Sequence, residues 1–156
     1  MATEQHQPTI ESSDGFTVVG IPFDATEESD FGAFWDEFGR RMAEFPGALE
    51  DQPTYGVSYA FTEESQIFTY LAGIRVEGDV PLPEGWTEVD LVAGTYAVFE
   101  TTLADVGDLM THIYRDWLPA SAYERLDAPE FERYAADFDP DAPTATFSIY
   151  IPVVEA

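Results

Sequence analysis

The sequence predicts an α+β fold in which duplicated strand–helix–strand–strand units form one largely antiparallel sheet with two main helices on one face. The same order of elements occurs in residues 16–77 and again in residues 94–154. Each half contains one segment with apolar residues at helical spacing, flanked by segments rich in β-branched and aromatic residues. Two such units can join edge to edge around a pseudo-twofold axis, which gives a sheet layer covered by a helix layer.

The first half begins with a strand and a helix. Residues 16–23, FTVVGIPF, combine β-branched and aromatic side chains, as strands do. Thr26 is the predicted N-cap of the helix, which we expect to end near Phe45, before a proline. The apolar positions of this helix follow one face: Phe31, Phe34, Trp35, Phe38 and Met42.

Two strands complete the first half. Residues 55–61 alternate between large and small side chains, which indicates a strand. Residues 66–77 are apolar on both faces, so we expect a central strand there. The polar residues between them predict a hairpin loop, and the glycines and prolines of residues 78–86 predict a connecting loop.

The second half repeats this order. Residues 87–91 and 94–101 are predicted strands, residues 130–135 a short extended segment, and residues 144–154 the last strand. Thr102 followed by Asp105 resembles a capping box. The helix should end at Pro119, which disfavours the α conformation at the preceding residue. Its apolar face comprises Leu103, Val106, Met110, Ile113 and Trp117.

The composition restricts the function classes. The 156 residues include 31 acidic side chains, six arginines, no lysine and no cysteine, for a net charge of −25. Disulfides and thiolate metal sites are therefore excluded. The negative field disfavours direct binding to nucleic acid or to anionic membranes. Because 45% of the residues are hydrophobic and 15% aromatic, the acids should cover a folded core.

The absence of lysine also predicts a habitat. Acid-rich, lysine-free surfaces resemble those of salt-loving archaea. At molar salt the Debye length is about 3 Å, so repulsion between the surface carboxylates is largely screened. An acidic mesophilic protein is the alternative. No apolar leader or membrane span is visible, so we expect a cytoplasmic protein. Residues 1–14 predict a flexible acidic arm, and residues 15–156 a single domain.

Several segments, taken in order, carry a family resemblance. They are Pro83-Glu84-Gly85, Gly94-Thr95-Tyr96-Ala97-Val98, Trp117-Leu118-Pro119, Ser121-Ala122-Tyr123-Glu124, Pro129-Glu130-Phe131-Glu132-Arg133-Tyr134 and Ile149-Tyr150-Ile151-Pro152-Val153. Together they resemble the GyrI-like family, the effector-binding domains of AraC-type and related transcription regulators. The resemblance covers about residues 16–154.

The resemblance implies a small-molecule-binding or sensing domain that uses a groove at the pseudo-twofold axis. Only 14 residues precede the first predicted strand, so we expect a stand-alone member without a DNA-binding domain. Two alternatives stay open: a hydrolase of electrophilic xenobiotics with a pocket carboxylate, and an acidic protein-interaction module of the gyrase-inhibitor type. Exposed sheet edges would also permit a homodimer.

Aromatic residues are the main ligand-binding candidates, because small-molecule pockets are mostly apolar and aromatic. Glu132 is the candidate pocket carboxylate and a weak catalytic candidate. Ser148 stands where many members of the family carry a glutamate, and its neutral hydroxyl cannot offset a buried cation. This substitution favours an apolar or aromatic ligand over a cation. The remaining candidates are Tyr55, Tyr59, Tyr96, Trp117, Tyr134 and Tyr150.

The sequence offers little for catalysis, metals or cofactors. His6 lies in the polar arm, and His112 is predicted on the solvent side of a helix. Neither forms part of a Ser–His–acid arrangement, and there is no glycine-rich phosphate loop. We therefore expect no metal and no cofactor.

Overall fold

The computed structural model describes residues 7–26, 28–45, 52–78, 80–139 and 141–156. Within these ranges all strand pairs are antiparallel and form one sheet in the order β1-β6-β9-β8-β3-β4-β2-β5, with β7 paired to β9. Helices cover one face, which confirms the predicted α+β class. The strands are β1 (Thr9–Ser13), β2 (Phe16–Ala25), β3 (Thr54–Thr62), β4 (Ile67–Val76), β5 (Thr87–Leu91), β6 (Gly94–Thr102), β7 (Tyr123–Arg125), β8 (Glu130–Tyr134) and β9 (Thr146–Glu155).

The two halves meet edge to edge through β3 and β8. On one side of this joint the order is β3-β4-β2-β5, and on the other it is β8-β9-β6-β1. The two middle places of the series correspond in length, because β4 and β9 have 10 residues each and β2 and β6 have 10 and 9. The outer strands β5 and β1 have 5 residues each. The pairing of Gly56 with Glu132 lies within the joint and therefore close to the pseudo-twofold axis.

The first helix is α1 (Phe31–Arg41), followed by a 3₁₀ turn over Met42–Glu44. Its N-cap is Asp30, whose carboxylate accepts a hydrogen bond from the Ala33 N–H at 3.1 Å. The predicted N-cap, Thr26, is wrong because Thr26 forms a separate turn with Ser29 before the helix begins.

The second helical segment is α2 (Val106–His112), a π-helical turn over Ile113–Trp117, and α3 (Leu118–Ala120). The predicted break before Pro119 is wrong, since Leu118 is helical with φ −58° and ψ −48°. Pro119 lies in the first turn of α3, where the missing N–H costs little. The chain leaves the helix only at Ser121.

The acidic N-terminal segment is partly a strand. Residues 1–14 are predicted to be a flexible arm, yet Thr9–Ser13 pairs with β6 as β1. The backbone groups of Thr9–Ser13 pair with the open edge of β6. The polar side chains of the segment do not prevent this pairing. Residues 1–6, including His6, lie outside the described residues.

The sheet curls so that both its faces are buried. Gly15, with φ +83°, joins β1 on one sheet edge to β2, which pairs with the opposite edge strand. A Cβ at Gly15 would lie 2.9 Å from the Leu91 carbonyl oxygen, so the turns at the two edges are in close contact. We call the side that carries the helices the helix face and the concave side the inner face.

Each face has its own core. On the helix face, one cluster under α1 includes Ile21, Phe38 and Trp86, and another under α2 includes Leu109 and Ile113. The inner face is packed by Val18, Tyr55, Val57, Leu71, Leu91, Tyr96 and Phe131. None of the described helices is long and apolar enough to cross a membrane.

Candidate functional site

A carboxylate lies at the centre of an aromatic hydrogen-bond network on the helix face. The Tyr70 hydroxyl donates to Oε1 of Glu132 at 2.8 Å, and the Tyr134 hydroxyl donates to the same oxygen at 2.7 Å. The indole N–H of Trp35 donates to the Tyr70 hydroxyl at 3.0 Å. We call these four residues the Glu132 cluster. It links α1 to strands from both halves of the domain.

The strand register explains how these side chains converge. Glu132 and Tyr134 are two residues apart on β8 and therefore lie on the same face. Glu132 pairs with Gly56 on β3, and the ring of Tyr70 from β4 passes over that glycine. A Cβ at Gly56 would lie 2.1 Å from the Tyr70 hydroxyl oxygen and 2.9 Å from Oε1 of Glu132. The hydrogen bond from Tyr70 to Glu132 therefore forms in the space that any side chain at position 56 would fill.

Aromatic rings surround the cluster. Trp35 packs edge-on against Tyr134 with a centroid distance of 5.4 Å, and Phe31 packs edge-on against Tyr70 at 4.9 Å. Phe147 stacks on the other side of Tyr134 at 4.6 Å. Phe31 and Phe34 are only partly buried, so their rings extend the aromatic surface from the cluster to the solvent.

The Glu132 carboxylate has no cationic partner among the described residues, and no donor there reaches its second oxygen, Oε2. Burial raises the pKa of this carboxyl, the hydroxyls of Tyr134 and Tyr70 lower it in part, and the nearby Glu130 raises it further. Burial, together with the carboxylate, also raises the pKa of Tyr70 and of Tyr134 well above the ordinary tyrosine value, so both remain neutral donors.

Glu130, two residues earlier on the same strand, is different. Nη2 of Arg125 lies 3.0 Å from Oε1 of Glu130, and the Tyr114 hydroxyl donates to the same carboxylate. One of two neighbouring carboxylates is therefore neutralised within the protein, whereas Glu132 is not.

The structure divides the predicted site residues between the two faces. Glu132 and Tyr134 belong to the cluster. Trp117 lies on the helix face, where it packs against Phe99 at 5.3 Å and stacks on Tyr123 at 6.3 Å. The others belong to the inner face: Tyr55, Tyr59, Tyr96, Ser148 and Tyr150. Ser148 pairs with Arg133 and is therefore on the opposite side of the sheet from Glu132.

Three residues of the site were not identified from the sequence. Tyr70 lies within an apolar strand whose two faces look alike, and Trp35 is one of several aromatic residues on the apolar side of α1. Gly56 contributes only space. The single available signal was the tyrosine within β4, since a buried hydroxyl needs a hydrogen-bond partner.

Metal binding has little support in the described part of the chain, where no group of three or more His, Asp or Glu side chains could hold an ion. The His112 imidazole lies 3.4 Å from the Asp116 carboxylate, one turn along the helix. Its side chain is only 23% exposed and its Nε2 is buried, so the predicted solvent-facing position is wrong.

Comparisons with known proteins agree on the fold and the family. Residues 9–153 match the family Cass2, described as integron-associated effector binding protein. The transcriptional regulator BrlR of Pseudomonas aeruginosa is 29% identical over 142 residues, which cover 88% of this chain and 52% of BrlR. The chain thus spans about half the length of this relative.

Two solved structures share the fold at 19% identity each. The integron cassette protein VCH_CASS2 from Vibrio cholerae has a TM-score of 0.67, with 95% of this chain and 96% of that chain covered. SAV2435, solved bound to tetraphenylphosphonium, has a TM-score of 0.73, with 95% of this chain and 94% of that chain covered.

Proposed function

The chain belongs to the Cass2 family of integron-associated effector binding proteins, and we propose that it binds a small aromatic cation at the Glu132 cluster. The observation that carries this proposal is a carboxylate in an aromatic environment without a cationic partner among the described residues. Charges removed from water are costly unless they are paired. A ligand cation would supply the missing charge.

The aromatic rings favour a particular kind of cation. Trp35, Phe31 and Phe34 are partly exposed, and the faces of aromatic rings attract positive charge. Tyr70 and Tyr134 are buried beneath them and hold the carboxylate. A delocalised or quaternary cation loses less hydration on binding than a compact ammonium. The proposal therefore specifies a lipophilic cation with aromatic substituents. Tetraphenylphosphonium, the ligand of SAV2435, is a probe of this class.

Ser148 does not weaken this proposal. From the sequence, the neutral Ser148 in the last strand favoured an apolar or aromatic ligand over a cation. Because Ser148 pairs with Arg133 and is on the inner face, a missing carboxylate there removes no charge from the Glu132 cluster.

The test is calorimetric titration of the whole chain with tetraphenylphosphonium in sodium chloride. We expect Glu132→Gln to weaken binding at least about tenfold, because a charge-assisted contact contributes about 1.5–3 kcal/mol. Glu124→Gln is the matched control, since Glu124 is an exposed strand glutamate and its loss changes the net charge equally. Equal weakening by both variants would indicate that the total charge, and not the cluster, attracts the probe.

A second control separates charge from shape. Tetraphenylborate has the same shape as the phosphonium with the opposite charge, and we expect no binding of it at the Glu132 cluster. If tetraphenylborate binds as tightly as tetraphenylphosphonium and Glu132→Gln changes neither affinity, the site would be a neutral apolar groove and the proposal would be wrong.

A further inference from the structure

We propose a second ligand site, at the mouth of the inner face, where Arg75 and Arg133 bind a small aromatic monocarboxylate. The two sites are on opposite sides of the sheet. The second does not depend on the proposed function of the Glu132 cluster.

The register places both arginines on one face. Arg133 of β8 pairs with Tyr55 of β3, and Tyr55 pairs in turn with Gly73 of β4. Arg75 is two residues beyond Gly73 and therefore has the same orientation. The side chains reach a common space, because two adjoining cavities of about 270 and 350 Å³ are each lined by Tyr55, Arg75 and Arg133.

The charges of these two arginines are not neutralised within the described part of the chain, where neither has an acidic oxygen within 4.0 Å. By contrast, three of the six arginines form ion pairs: Arg40 with Glu37, Arg41 with Glu44, and Arg125 with Glu130. In a chain with 31 acidic residues, two unpaired guanidinium groups facing one space are unexpected. A bound anion would relieve their mutual repulsion, and a carboxylate matches the planar fork of an arginine.

Aromatic walls indicate the rest of the ligand. Arg75 lies over the ring of Phe16 at 4.6 Å, and Phe131 stacks on Tyr150 at 4.5 Å. These rings and Tyr55 line the smaller cavity, which offers flat apolar surface next to the guanidinium groups. A planar aromatic body attached to an anionic group fits this combination.

Acidic residues at the rim set the charge of the ligand. Glu11 and Asp14 line the smaller cavity, and Glu77 lines the larger one. Attraction and repulsion both double for a dianion, but three acidic residues line the cavities against two arginines. With the net charge of −25 in addition, the balance disfavours a dianion more than a monoanion. The site therefore favours an aromatic monocarboxylate over an aromatic phosphate.

The test is titration of the whole chain with 2-naphthoate, at a salt concentration that screens the overall repulsion. We expect Arg75→Gln and Arg133→Gln each to weaken binding about tenfold, the loss of one charge-assisted contact. Arg115→Gln is the control, because Arg115 is exposed on the helical segment and its loss changes the net charge equally. We expect the Arg115→Gln variant to bind 2-naphthoate with the affinity of the unmodified chain. The neutral analogue 2-naphthalenemethanol should bind to the unmodified chain at least about tenfold more weakly than 2-naphthoate does.

Three results would overturn the inference: no binding of 2-naphthoate, equal binding of the neutral analogue, or equal affinity in the two arginine variants and the Arg115 control. Arg75 is exposed, so Arg75→Gln should fold even if Arg133→Gln does not. Phenyl phosphate should bind more weakly than 2-naphthoate, and tighter binding would contradict the preference for a monoanion. Glu132→Gln should leave naphthoate affinity unchanged, so failure of one site is distinguishable from failure of the other.

Discussion

The helix face and the inner face of the sheet place opposite charges in similar aromatic surroundings. On the helix face, the Glu132 carboxylate accepts hydrogen bonds from Tyr70 and Tyr134, and the Tyr70 hydroxyl accepts one from the indole N–H of Trp35. On the inner face, two guanidinium groups lie beside phenylalanine and tyrosine rings. Neither charge has an opposite partner among the described residues. The faces therefore differ mainly in the sign of the charge and in its depth.

The difference in depth follows from acid–base chemistry. A carboxyl group can be buried without a cation because its pKa rises and hydroxyl donors stabilise the ionised form. A guanidinium group cannot lose its proton, so it stays charged and must remain near water or bind an anion. This agrees with the position of the carboxylate among buried tyrosines at the joint of the halves and with the exposure of Arg75, while Arg133 is half-buried as Glu132 is.

The largest expected effect comes from a substitution that destabilises the sheet itself and therefore the sites on both of its faces. Gly20 of β2 pairs with Gly73 of β4, and a Cβ at Gly20 would lie 2.0 Å from the backbone oxygen of Ala72. Because backbone atoms cannot move aside as a side chain can, we expect Gly20→Ala to lower the free energy of unfolding by roughly 3 kcal/mol or more. Chemical denaturation measures this change.

The control for Gly20 is Gly107→Ala in α2, where no atom lies within 4 Å of the new Cβ. We expect Gly107→Ala to stabilise the protein by up to about 1 kcal/mol, because alanine favours the helix. If Gly20→Ala were as stable as this control, the close strand contact would not be required for the curl.

The next effect should be confined to the helix face. Gly56→Ala places a Cβ among the Tyr70 hydroxyl and the Glu132 carboxylate, which must then separate. We expect a loss of about 1–3 kcal/mol in unfolding free energy, typical of overpacking. Tetraphenylphosphonium binding should weaken, whereas 2-naphthoate binding should not. The matched control is Gly39→Ala in α1, where the new Cβ would have no neighbour within 4 Å. If Gly56→Ala also lost 2-naphthoate binding, the two faces would be coupled and not independent.

A smaller effect separates the two tyrosines of the cluster. Tyr70→Phe removes a donor to Glu132 and also leaves the Trp35 indole N–H without its acceptor, whereas Tyr134→Phe removes one donor only. A hydrogen bond contributes about 1 kcal/mol and an unsatisfied buried group costs about 1–3 kcal/mol. Tyr70→Phe should therefore be the more destabilising of the two in chemical denaturation. Equal losses would mean that the Trp35 contact contributes nothing.

The fold was largely predictable from the sequence because its signals are local. Alternation in residues 55–61, helical spacing in residues 31–42 and the repeated order of elements predicted the helices, the joining of the halves and seven of the nine described strands. The strands β1 and β7 were not predicted. The errors at Thr26 and Pro119 concern helix ends, where one turn or one π-helical segment changes the boundary.

The site was less predictable because it depends on register. Glu132 and Tyr134 were identified from one short segment, and their spacing of two residues places them on one face. Whether Tyr55 or Tyr70 shares that face depends on how β3 pairs with β8 and how β4 pairs with β3, and no local pattern gives these pairings. A shift of one residue would exchange the tyrosines of the two faces.

The pH dependence gives the finest test of the comparison. Because burial raises the pKa of Glu132 above its ordinary value of 4.5, folded Glu132 binds a proton more tightly than unfolded Glu132 does. This carboxyl therefore contributes stability at low pH that is lost as the pH rises through its folded pKa. We expect Glu132→Gln to be more stable than the unmodified chain at neutral pH, with an advantage that shrinks on acidification. Comparing the two proteins by denaturation across pH cancels the contribution of the other acids.

Ligand binding should show the same asymmetry between the faces. Protonation of Glu132 removes the charge that attracts tetraphenylphosphonium, so its affinity should fall on acidification through the folded pKa. A guanidinium group cannot lose its proton, so 2-naphthoate affinity should not fall until the carboxyl group of the probe itself is protonated. Calorimetry of both probes over one pH series measures the two curves side by side. The charge of Glu132 would be irrelevant if the phosphonium affinity did not change with pH while Glu132→Gln still abolished binding. Glu132 would then act through its shape, because only a titrating charge makes the two faces respond differently to protons.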